Sequence, residues 1–300
     1  MSVEYGIVLG APRSGTTFLM DVLATLPDAE CVTGGLLPVG IAHLAAQPLP
    51  EDMQALLRRS LRGAIDDYLQ GPAFRSQWAA LRKWRLIGCP PRGLPGALRS
   101  VRRERALIYK EPFLAFAPEL AYRVCGEAPV IHIFRDGRDV ADSLVRSYDV
   151  LSDRKLAGLQ SSEVMIGRRV GELYVPWWVH EGQQERFLAA SPYVRAIWMW
   201  REMVSRCREL FADSHVSQSG RVLSVRYEDL VREPLAEGQR IVAHLRQRST
   251  RRTRRRLRAA SLGSIGVHRR RERHEIAAAE ELAGEELLAL GYELSGTRGA

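Results

Sequence analysis

The segment at residues 5–26 constrains the fold more than any other part of the chain. An apolar run at 5–10 (YGIVLG) ends in glycine and leads into the turn GAPRSGTT at 10–17. After the turn, apolar residues recur at the spacing of a helix. A strand, a glycine turn and a helix in this order bring backbone N–H groups and the positive end of a helix dipole to one point. We therefore predict an anion-binding loop at 10–17.

Three further runs have the apolar composition of buried strands, at 106–110 (ALIYK), 129–134 (PVIHIF) and 221–226 (RVLSVR). Helical patterns separate them, for example at 196–211. Strands that alternate with helices predict an α/β fold, in which a parallel β-sheet is flanked by helices on both faces. With the glycine turn after the first strand, the pattern predicts a P-loop-like nucleotide-binding fold.

No internal repeat and no long linker divides the sequence, so we expect one domain over residues 1–300. Residues at about 36–105 are rich in Leu, Ala and Arg and predict a helical insertion, with a loop at 89–96 (CPPRGLPG). The segment at about 149–192 is expected to be irregular. Its aromatic residues Tyr174, Trp177 and Trp178 either wall a ligand pocket or pack in the core.

Arginine is concentrated late in the chain. The net charge is +9, from 44 Lys and Arg against 35 Asp and Glu, and eight of the thirteen residues at 246–258 are arginine. Such a run is typical either of a nucleic-acid-binding protein or of an arginine-rich, solvated helix followed by Leu257 and Leu262. We favour the solvated helix, so we do not expect nucleic acid as a partner.

The four cysteines, Cys31, Cys89, Cys125 and Cys207, are far apart and form no CxxC pair. Neither a zinc site nor a disulfide framework is predicted, and reduced thiols fit a cytoplasmic location. No run reaches the roughly 18 apolar residues of a membrane span, and no basic leader precedes the first strand. We expect a cytoplasmic protein without a membrane span.

The loop at 10–17 has the outline GxxxxG of a nucleotide-triphosphate loop, but Thr16 stands where the lysine should follow Gly15. A P-loop kinase or nucleotide hydrolase needs that lysine, together with a metal ion. Here the cation is Arg13. One cation without a metal ion suits the binding of a less charged group than a terminal phosphoryl group. A sulfuryl group is such a group, and loop amides, hydroxyls and one cation are enough to bind it. The candidate anion ligands are Arg13, Ser14, Gly15, Thr16 and Thr17.

A second anion site is predicted at 130–144 (VIHIFRDGRDVADSL), where an apolar strand ends at Arg135 and Ser143 follows eight residues later. The segment PRSGTTFL (12–19) resembles the 5′-phosphosulfate loop of sulfotransferases that use 3′-phosphoadenosine 5′-phosphosulfate (PAPS). Arg135 with Ser143 resembles their 3′-phosphate pair. Asp136 also resembles the aspartate of a Walker B strand, a reading that the missing loop lysine disfavours.

Two later segments extend the resemblance. RVLSVRYEDL (221–230) is similar to the strand and turn that carry a tyrosine near the adenine, which implies an adenine contact at Tyr227. SIGVHRRRE (264–272) resembles the basic loop that closes over the 3′-phosphate, which implies that Arg269 and Arg270 bind it. The resemblance reaches to about residue 275. It implies sulfuryl transfer from PAPS to a hydroxyl of a small-molecule, glycan or secondary-metabolite acceptor, with 3′-phosphoadenosine 5′-phosphate (PAP) as product and no metal.

The resemblance also implies a catalytic lysine, because Lys110 ends the strand ALIYK as the family's strand lysine does. It does not supply the general base. Cytosolic members place a histidine two residues after that lysine, where this chain has Pro112. Glycan- and protein-modifying members place a glutamate just after the first helix, where this chain has TGG at 33–35.

The candidates for the base are therefore Glu111 and His43, with His180 and Glu181 behind them. We favour Glu111 because it adjoins Lys110, although successive strand residues point to opposite faces. Both can face one site only if the strand has ended, which the following proline favours. A neighbouring lysine is expected to lower the pKa of this carboxylate.

Three other functions stay open. A P-loop kinase or nucleotide hydrolase would bind ATP or GTP with magnesium. An arginine-rich nucleic-acid-binding protein would lose affinity steeply as salt rises. A binding module that keeps the PAPS site but lacks catalysis is the third, because neither of the usual positions for the base is filled.

Overall fold

The computed structural model describes residues 4–36, 40–71, 106–124, 126–158 and 167–295. The expected loop at 89–96 and most of the second half of the expected helical insertion lie outside the described residues, as do Cys89 and Cys125. Of the described cysteines, Cys31 and Cys207 are free thiols.

A five-stranded parallel sheet forms the centre of the molecule, in the order β2-β3-β1-β4-β7. A separate antiparallel hairpin pairs β5 with β6. The predicted parallel α/β fold is confirmed. The strands are β1 Glu4–Leu9, β2 Ala29–Thr33, β3 Ala106–Lys110, β4 Val130–Phe134, β5 Gly167–Val170, β6 Leu173–Pro176 and β7 Val222–Arg226.

Helices connect the strands and cover the sheet. The described α-helices are α1 Thr16–Leu23, α2 Gly40–Ala45, α3 Glu51–Gln70, α4 Pro118–Val124, α5 Gly137–Tyr148, α6 Asp153–Ala157, α7 Gln184–Ala189, α8 Pro192–Ala212, α9 Ser214–Gln218, α10 Tyr227–Arg232, α11 Pro234–His244, α12 Arg251–Leu257 and α13 Arg273–Ala289. Short 3₁₀ turns lie at Pro112–Phe116, Leu262–Ser264 and Val267–Arg270. None of the described helices is both long and apolar enough to cross a membrane.

Both faces of the sheet are buried, because alternate residues of each strand point to opposite sides. On one face, Val8 of β1 packs in a cluster with residues of α1 and α11. On the other face, Ile7 and Leu9 pack in a cluster with residues of α3 and α4. This two-sided burial explains why the central strands are almost continuously apolar.

A third apolar cluster fixes α5 against the long helix α8. Gly137 begins α5 beneath the ring of Trp200, and a Cβ added there would lie 2.5 Å from that ring. Only glycine allows this approach. The packing sets the position of α5 directly after Arg135, so it helps to place the second predicted anion site.

Strand β2 was not predicted from the sequence. Its segment, AECVT, contains Glu30, whose charge argues against a strand that is buried on both faces. In the structure Glu30 is 4% exposed, and its carboxylate accepts a hydrogen bond from the Tyr68 hydroxyl of α3. The polar residue is compatible with the strand because the insertion supplies its partner.

Residues 149–192 are more regular than expected. Their described part contains two short helices, α6 and α7, and the hairpin β5–β6. The strands of the hairpin are four residues long, and Gly171, with φ 61°, makes the turn between them. Strands this short show too few alternations for a pattern to be read from the sequence.

The arginine run forms a helix, as the sequence suggested. Thr250 and Thr253 form a capping box at the start of α12, and Leu257 is buried, whereas Arg254 and Arg255 are exposed. Leu262, further along, is 58% exposed. The helix therefore packs through a narrow apolar and hydroxyl face and leaves most of its arginines in solvent.

The buried His132 of β4 should make folding sensitive to acid. Burial lowers the pKa of His132 from 6.5 to about 4. In the unfolded chain the imidazole of His132 is protonated below about pH 6.5, whereas in the folded chain it stays neutral down to about pH 4. The free energy of unfolding therefore falls as the pH is lowered over this range. The loss at pH 4 is about 3 kcal/mol. Denaturant titrations from pH 7 to pH 4 should show this loss of stability in wild type and not in His132→Leu. The control variant His215→Leu, at an exposed histidine, should show the same loss as wild type.

Candidate active site

The loop after β1 lies at the carboxyl edge of the sheet, between the ends of β3 and β4. Gly10 passes close to β4, where a Cβ would lie 2.3 Å from the carbonyl oxygen of Ile133. Arg13 and Gly15 have φ values of 70° and 90° and turn the chain into α1. In the described part of the chain no side chain caps this helix. Its first N–H groups are therefore left for a ligand or solvent.

Tyr227, the first residue of α10, forms one wall of the loop. A Cβ on Gly15 would lie 2.2 Å from Cδ2 of its ring, so glycine is required for this contact. The Tyr227 hydroxyl is hydrogen-bonded to Oγ of Ser264 at 2.8 Å. The ring thus joins the loop to the segment at 264–272. The adenine contact expected of Tyr227 stays a prediction.

The predicted anion ligands of the two segments meet. Nε of Arg13 donates to Oγ of Ser143 at 2.9 Å. Nη1 of Arg135 donates to the carbonyl oxygen of Arg13 at 3.1 Å, and Nη2 donates to the carbonyl oxygen of Ser264. The guanidinium of Arg135 lies 5.1 Å from the ring centre of Tyr227. Two arginines and a hydroxyl therefore converge in a largely buried cleft beside the loop.

Asp139, which the sequence analysis did not select, organises the same region. It is 1% exposed and accepts hydrogen bonds from the backbone N–H groups of Gly266 and His268, at 2.7 and 3.0 Å. It is also hydrogen-bonded to Nδ1 of His268 at 2.6 Å and lies 3.6 Å from Nη2 of Arg135. Burial alone raises the pKa of Asp139, but the bonds from His268 and Gly266 outweigh it and leave the pKa below its usual value.

Lys110 and Glu111 lie at the end of β3, on the other side of the loop. The strand ends at Lys110, and Glu111 caps the 3₁₀ turn by accepting from the N–H of Phe113 at 3.3 Å. Both side chains are largely buried. Burial lowers the pKa of Lys110, whose ammonium has no hydrogen bond or ion pair among the described residues.

The expected pKa shift of Glu111 was wrong in direction. Burial raises the pKa of this carboxyl, and neither the hydrogen bond from Phe113 nor the attraction of Lys110 reverses the shift. The carboxylate also lies beside the glycines after β2, since a Cβ on Gly34 would be 3.3 Å from Oε2 of Glu111. A carboxylate with a raised pKa is the stronger base.

His43 lies apart from these residues. Its ring contacts Trp177, with ring centres 4.7 Å apart, and Nδ1 is 3.3 Å from Nε2 of Gln47. The same residues line a cavity of about 440 Å³ together with His180, which is hydrogen-bonded to Glu202 at 3.2 Å. Within the described residues, none of these contacts reaches Lys110 or Glu111.

Arg269 and Arg270 are exposed and belong to the segment that Asp139 holds. The Nε of Arg269 lies close to Gly266, 3.5 Å from the position of an added Cβ. Neither arginine is hydrogen-bonded to Arg135 or Ser143 among the described residues. Their expected contact with a 3′-phosphate stays a prediction.

Comparison with known proteins identifies the family. The model of the sulfotransferase family matches residues 7–251. The chain belongs to the sulfotransferase family. Comparison with curated proteins gave no match.

Comparison with solved structures gave sulfotransferases at low sequence identity. A sulfotransferase domain from the curacin biosynthetic pathway is 15% identical over 98% of this chain and 99% of that chain, with a TM-score of 0.50. The sulfotransferase domain of the olefin synthase of Synechococcus PCC 7002 is 18% identical over 98% and 96%, with a TM-score of 0.49. A sulfotransferase from Alicyclobacillus acidocaldarius is 16% identical over 99% of each chain, with a TM-score of 0.47. At 15% identity, the likeness to the domain from the curacin pathway concerns the fold alone.

The cleft of this sulfotransferase contains buried polar atoms without partners among the described residues. Oγ of Ser14 and Nε of Arg135 are buried and have no hydrogen-bond partner among the described residues. Buried polar atoms without partners are costly and are rare in folded proteins. Together with the uncapped end of α1, they form a set of donors that an anion would satisfy.

The aspartate that resembles a Walker B residue is engaged by the protein itself. Asp136 accepts from the N–H and Nε of Arg138, both at 3.0 Å, and its second oxygen is 2.8 Å from Nη2 of Arg138. Arg138 also pairs with Glu280 of α13. Among the described residues, no group of three or more His, Cys, Asp and Glu side chains is arranged to hold a metal ion. Asp136 therefore acts in the sulfotransferase as a helix cap and ion-pair partner.

The contact between Gly15 and Tyr227 can be tested by substitution. Gly15→Ala should lower the free energy of unfolding through both its positive φ and the clash with the ring, whereas Gly35→Ala has a φ of 73° but nothing within 4 Å. We expect each to incur about 1–3 kcal/mol of backbone strain and Gly15→Ala to lose about 1–3 kcal/mol more from overpacking. Denaturant unfolding of the two variants measures the difference. If both variants lost the same free energy of unfolding, the contact between the Tyr227 ring and Gly15 would not require glycine.

Proposed function

We propose that this sulfotransferase moves a sulfuryl group from PAPS to a hydroxyl of a small-molecule, glycan or secondary-metabolite acceptor and releases PAP. The observation that carries the proposal is the meeting of Arg13, Ser143 and Arg135 in one cleft, at 2.9 and 3.1 Å, beside an uncapped helix. An adenosine nucleotide with phosphate groups at both ends of its ribose needs two such anion sites close together.

The two anion sites divide the donor between them. The loop amides with Ser14, Thr16 and Thr17 are assigned to the 5′-phosphosulfate, which suits the helix end and the unpartnered Ser14 hydroxyl. Arg135 and Ser143 are assigned to the 3′-phosphate, with Arg269 and Arg270 completing that site and Tyr227 beside the adenine. The donor supplies the sulfuryl group and a good leaving group, and no metal is required by this arrangement.

Lys110 is assigned to the leaving oxygen. The acceptor oxygen forms a bond to sulfur while the bond from sulfur to the bridging oxygen breaks, and negative charge develops on the bridging oxygen. A buried ammonium without a partner among the described residues can donate to that oxygen. Because the charge develops only during transfer, this contact stabilises the transition state more than the bound donor.

Glu111 is assigned as the general base that accepts the proton of the acceptor hydroxyl. It is close enough to Lys110 for the two charges to shift each other's pKa, and burial raises the pKa of the carboxyl. His43 is the alternative base. Its contacts with Trp177 and Gln47 favour a role in lining the neighbouring cavity instead.

A kinase or nucleotide hydrolase is disfavoured by two observations. Thr16 occupies the position of the phosphate-loop lysine, and the carboxylate of Asp136 is already held by Arg138. A nucleic-acid-binding function is disfavoured because α12 contributes no aromatic side chain on which a base could stack.

Donor binding tests the proposal directly. PAP should bind in the presence of a chelator and more tightly than ATP, because ATP lacks the 3′-phosphate that Arg135 and Ser143 are assigned to bind. Arg135→Ala should weaken PAP binding by about 1.5–3 kcal/mol, the usual scale of a hydrogen bond to a charged group, and leave ATP binding nearly unchanged. Calorimetric titration measures both nucleotides. Equal affinity for PAP and ATP in wild type would overturn the donor assignment.

The base is tested by turnover with a labelled donor and a panel of hydroxyl acceptors. Glu111→Gln should lower turnover by about 100-fold or more, because the amide cannot accept the proton, and should leave PAP affinity intact. In wild type the rate should rise with pH through a carboxyl pKa above its usual value. His43→Ala is the comparison variant. Full activity in Glu111→Gln together with loss of activity in His43→Ala would transfer the assignment to His43.

A further inference from the structure

Asp139 contacts both Arg135 and the segment at 264–272, although it is not among the residues assigned to bind the donor. It lies one helical turn after Arg135, on the face of α5 that also carries Ser143. Its carboxylate is 1% exposed and is shared among three bonds to the segment at 264–272 and the guanidinium of Arg135. None of the proposed chemistry uses it directly.

The contacts of Asp139 fix the backbone of a segment that has little regular structure of its own. Gly266 has a φ of 72°, and the bond from its N–H to Asp139, at 2.7 Å, holds the chain at that turn. Both nitrogens of His268 that face Asp139 are bonded to Oδ1, the backbone N–H at 3.0 Å and Nδ1 at 2.6 Å. One carboxylate therefore holds the 3₁₀ turn Val267–Arg270 both at its cap, Gly266, and at His268 inside it.

The same carboxylate restricts the guanidinium of Arg135. Nη2 lies 3.6 Å from Oδ2 of Asp139 and also donates to the carbonyl oxygen of Ser264, while Nη1 donates to the carbonyl oxygen of Arg13. The flat face of the group lies against Tyr227. Both Nη atoms are thus held in place, and Nε is left without a partner among the described residues.

We propose that Asp139 is a positioning residue for 3′-phosphate recognition, acting through Arg135 and the segment at 264–268. This inference rests on the proposed function, because it takes the cleft at Arg135 and Ser143 as the 3′-phosphate site. Asp139 carries the same charge sign as the phosphate, so it cannot bind the phosphate itself. Asp139 instead fixes the orientation of the Arg135 guanidinium and holds the segment at 264–268 next to Arg135.

The two nucleotides PAP and adenosine 5′-phosphate (AMP) test the proposal, since they differ only in the 3′-phosphate. Asp139→Asn should weaken PAP binding by about 10- to 100-fold, because charge-assisted bonds at the carboxylate are lost, and should leave AMP binding within about 3-fold of wild type. A purely structural role would lower both affinities together. Calorimetric titration of the full-length variants measures the ratio of the two affinities.

A double-mutant cycle separates action through Arg135 from independent action. Because Asp139 acts partly through Arg135, the double variant Arg135→Ala, Asp139→Asn should lose less PAP affinity than the sum of the two single losses, and full additivity would contradict action through Arg135. Asp142→Asn is the matched control. Asp142 lies on the same helix and is bonded to Arg271 at 2.9 Å, but it makes no contact with Arg135 among the described residues. Asp142→Asn should have the same ratio of PAP to AMP affinity as wild type.

His268→Ala supplies a second variant if Asp139→Asn does not fold. It removes one bond to Asp139 and keeps the carboxylate, so the ratio of PAP to AMP affinity should fall by about 3- to 10-fold. An unchanged ratio in Asp139→Asn, or in His268→Ala when the first variant does not fold, would overturn the inference. Equal binding of PAP and AMP by wild type would instead overturn the proposed 3′-phosphate site.

Discussion

The hydrogen bonds of β1 to both β3 and β4 are the interaction on which the candidate site depends. They place β1 in the middle of a parallel sheet, so that the ends of its neighbours flank the loop at 10–17. Lys110 arrives at one side of the loop because it is in register with Val8. Arg135 arrives at the other side because β4 ends there. The result is a cleft with the uncapped end of α1 at its centre and with Lys110 and Arg135 at its two sides.

The three aspartates of the segment RDGRDVAD look alike in sequence but have different bonding partners in the folded chain. Asp136 caps α5 and holds Arg138, Asp139 holds the segment at 264–268, and Asp142 pairs with Arg271. Asp139 and Asp142 are bonded to residues that are distant along the chain, whereas Asp136 is bonded within α5. A reading of the sequence alone gave a possible functional role to Asp136 and none to Asp139, whereas the contacts point the other way.

The sequence was sufficient to predict the α/β fold, strand β3 with its terminal Lys110, and the approach of Arg135 and Ser143 to the loop, because these follow from local patterns and parallel strand order. The sequence was insufficient where a strand or a pKa depends on burial by residues that are distant along the chain. Strand β2 was missed since the partner of Glu30 comes from α3. The pKa shift of Glu111 was predicted in the wrong direction because its lysine neighbour is visible in the sequence and its desolvation is not.

The arginines of residues 246–258 give the molecule an uneven electrostatic field. This segment has eight arginines and no acidic residue, so the rest of the chain carries only +1 of the total of +9. Helix α12 is joined to α1 by the pair of Arg256 with Asp21, and Thr253 is bonded to Thr25, just beyond the end of α1, at 3.0 Å. Helix α1 separates these arginines from the loop by about 12 Å, which is longer than the Debye length of about 8 Å at physiological salt. The positive potential of the arginine segment therefore reaches the loop at low ionic strength and is largely screened there at physiological salt.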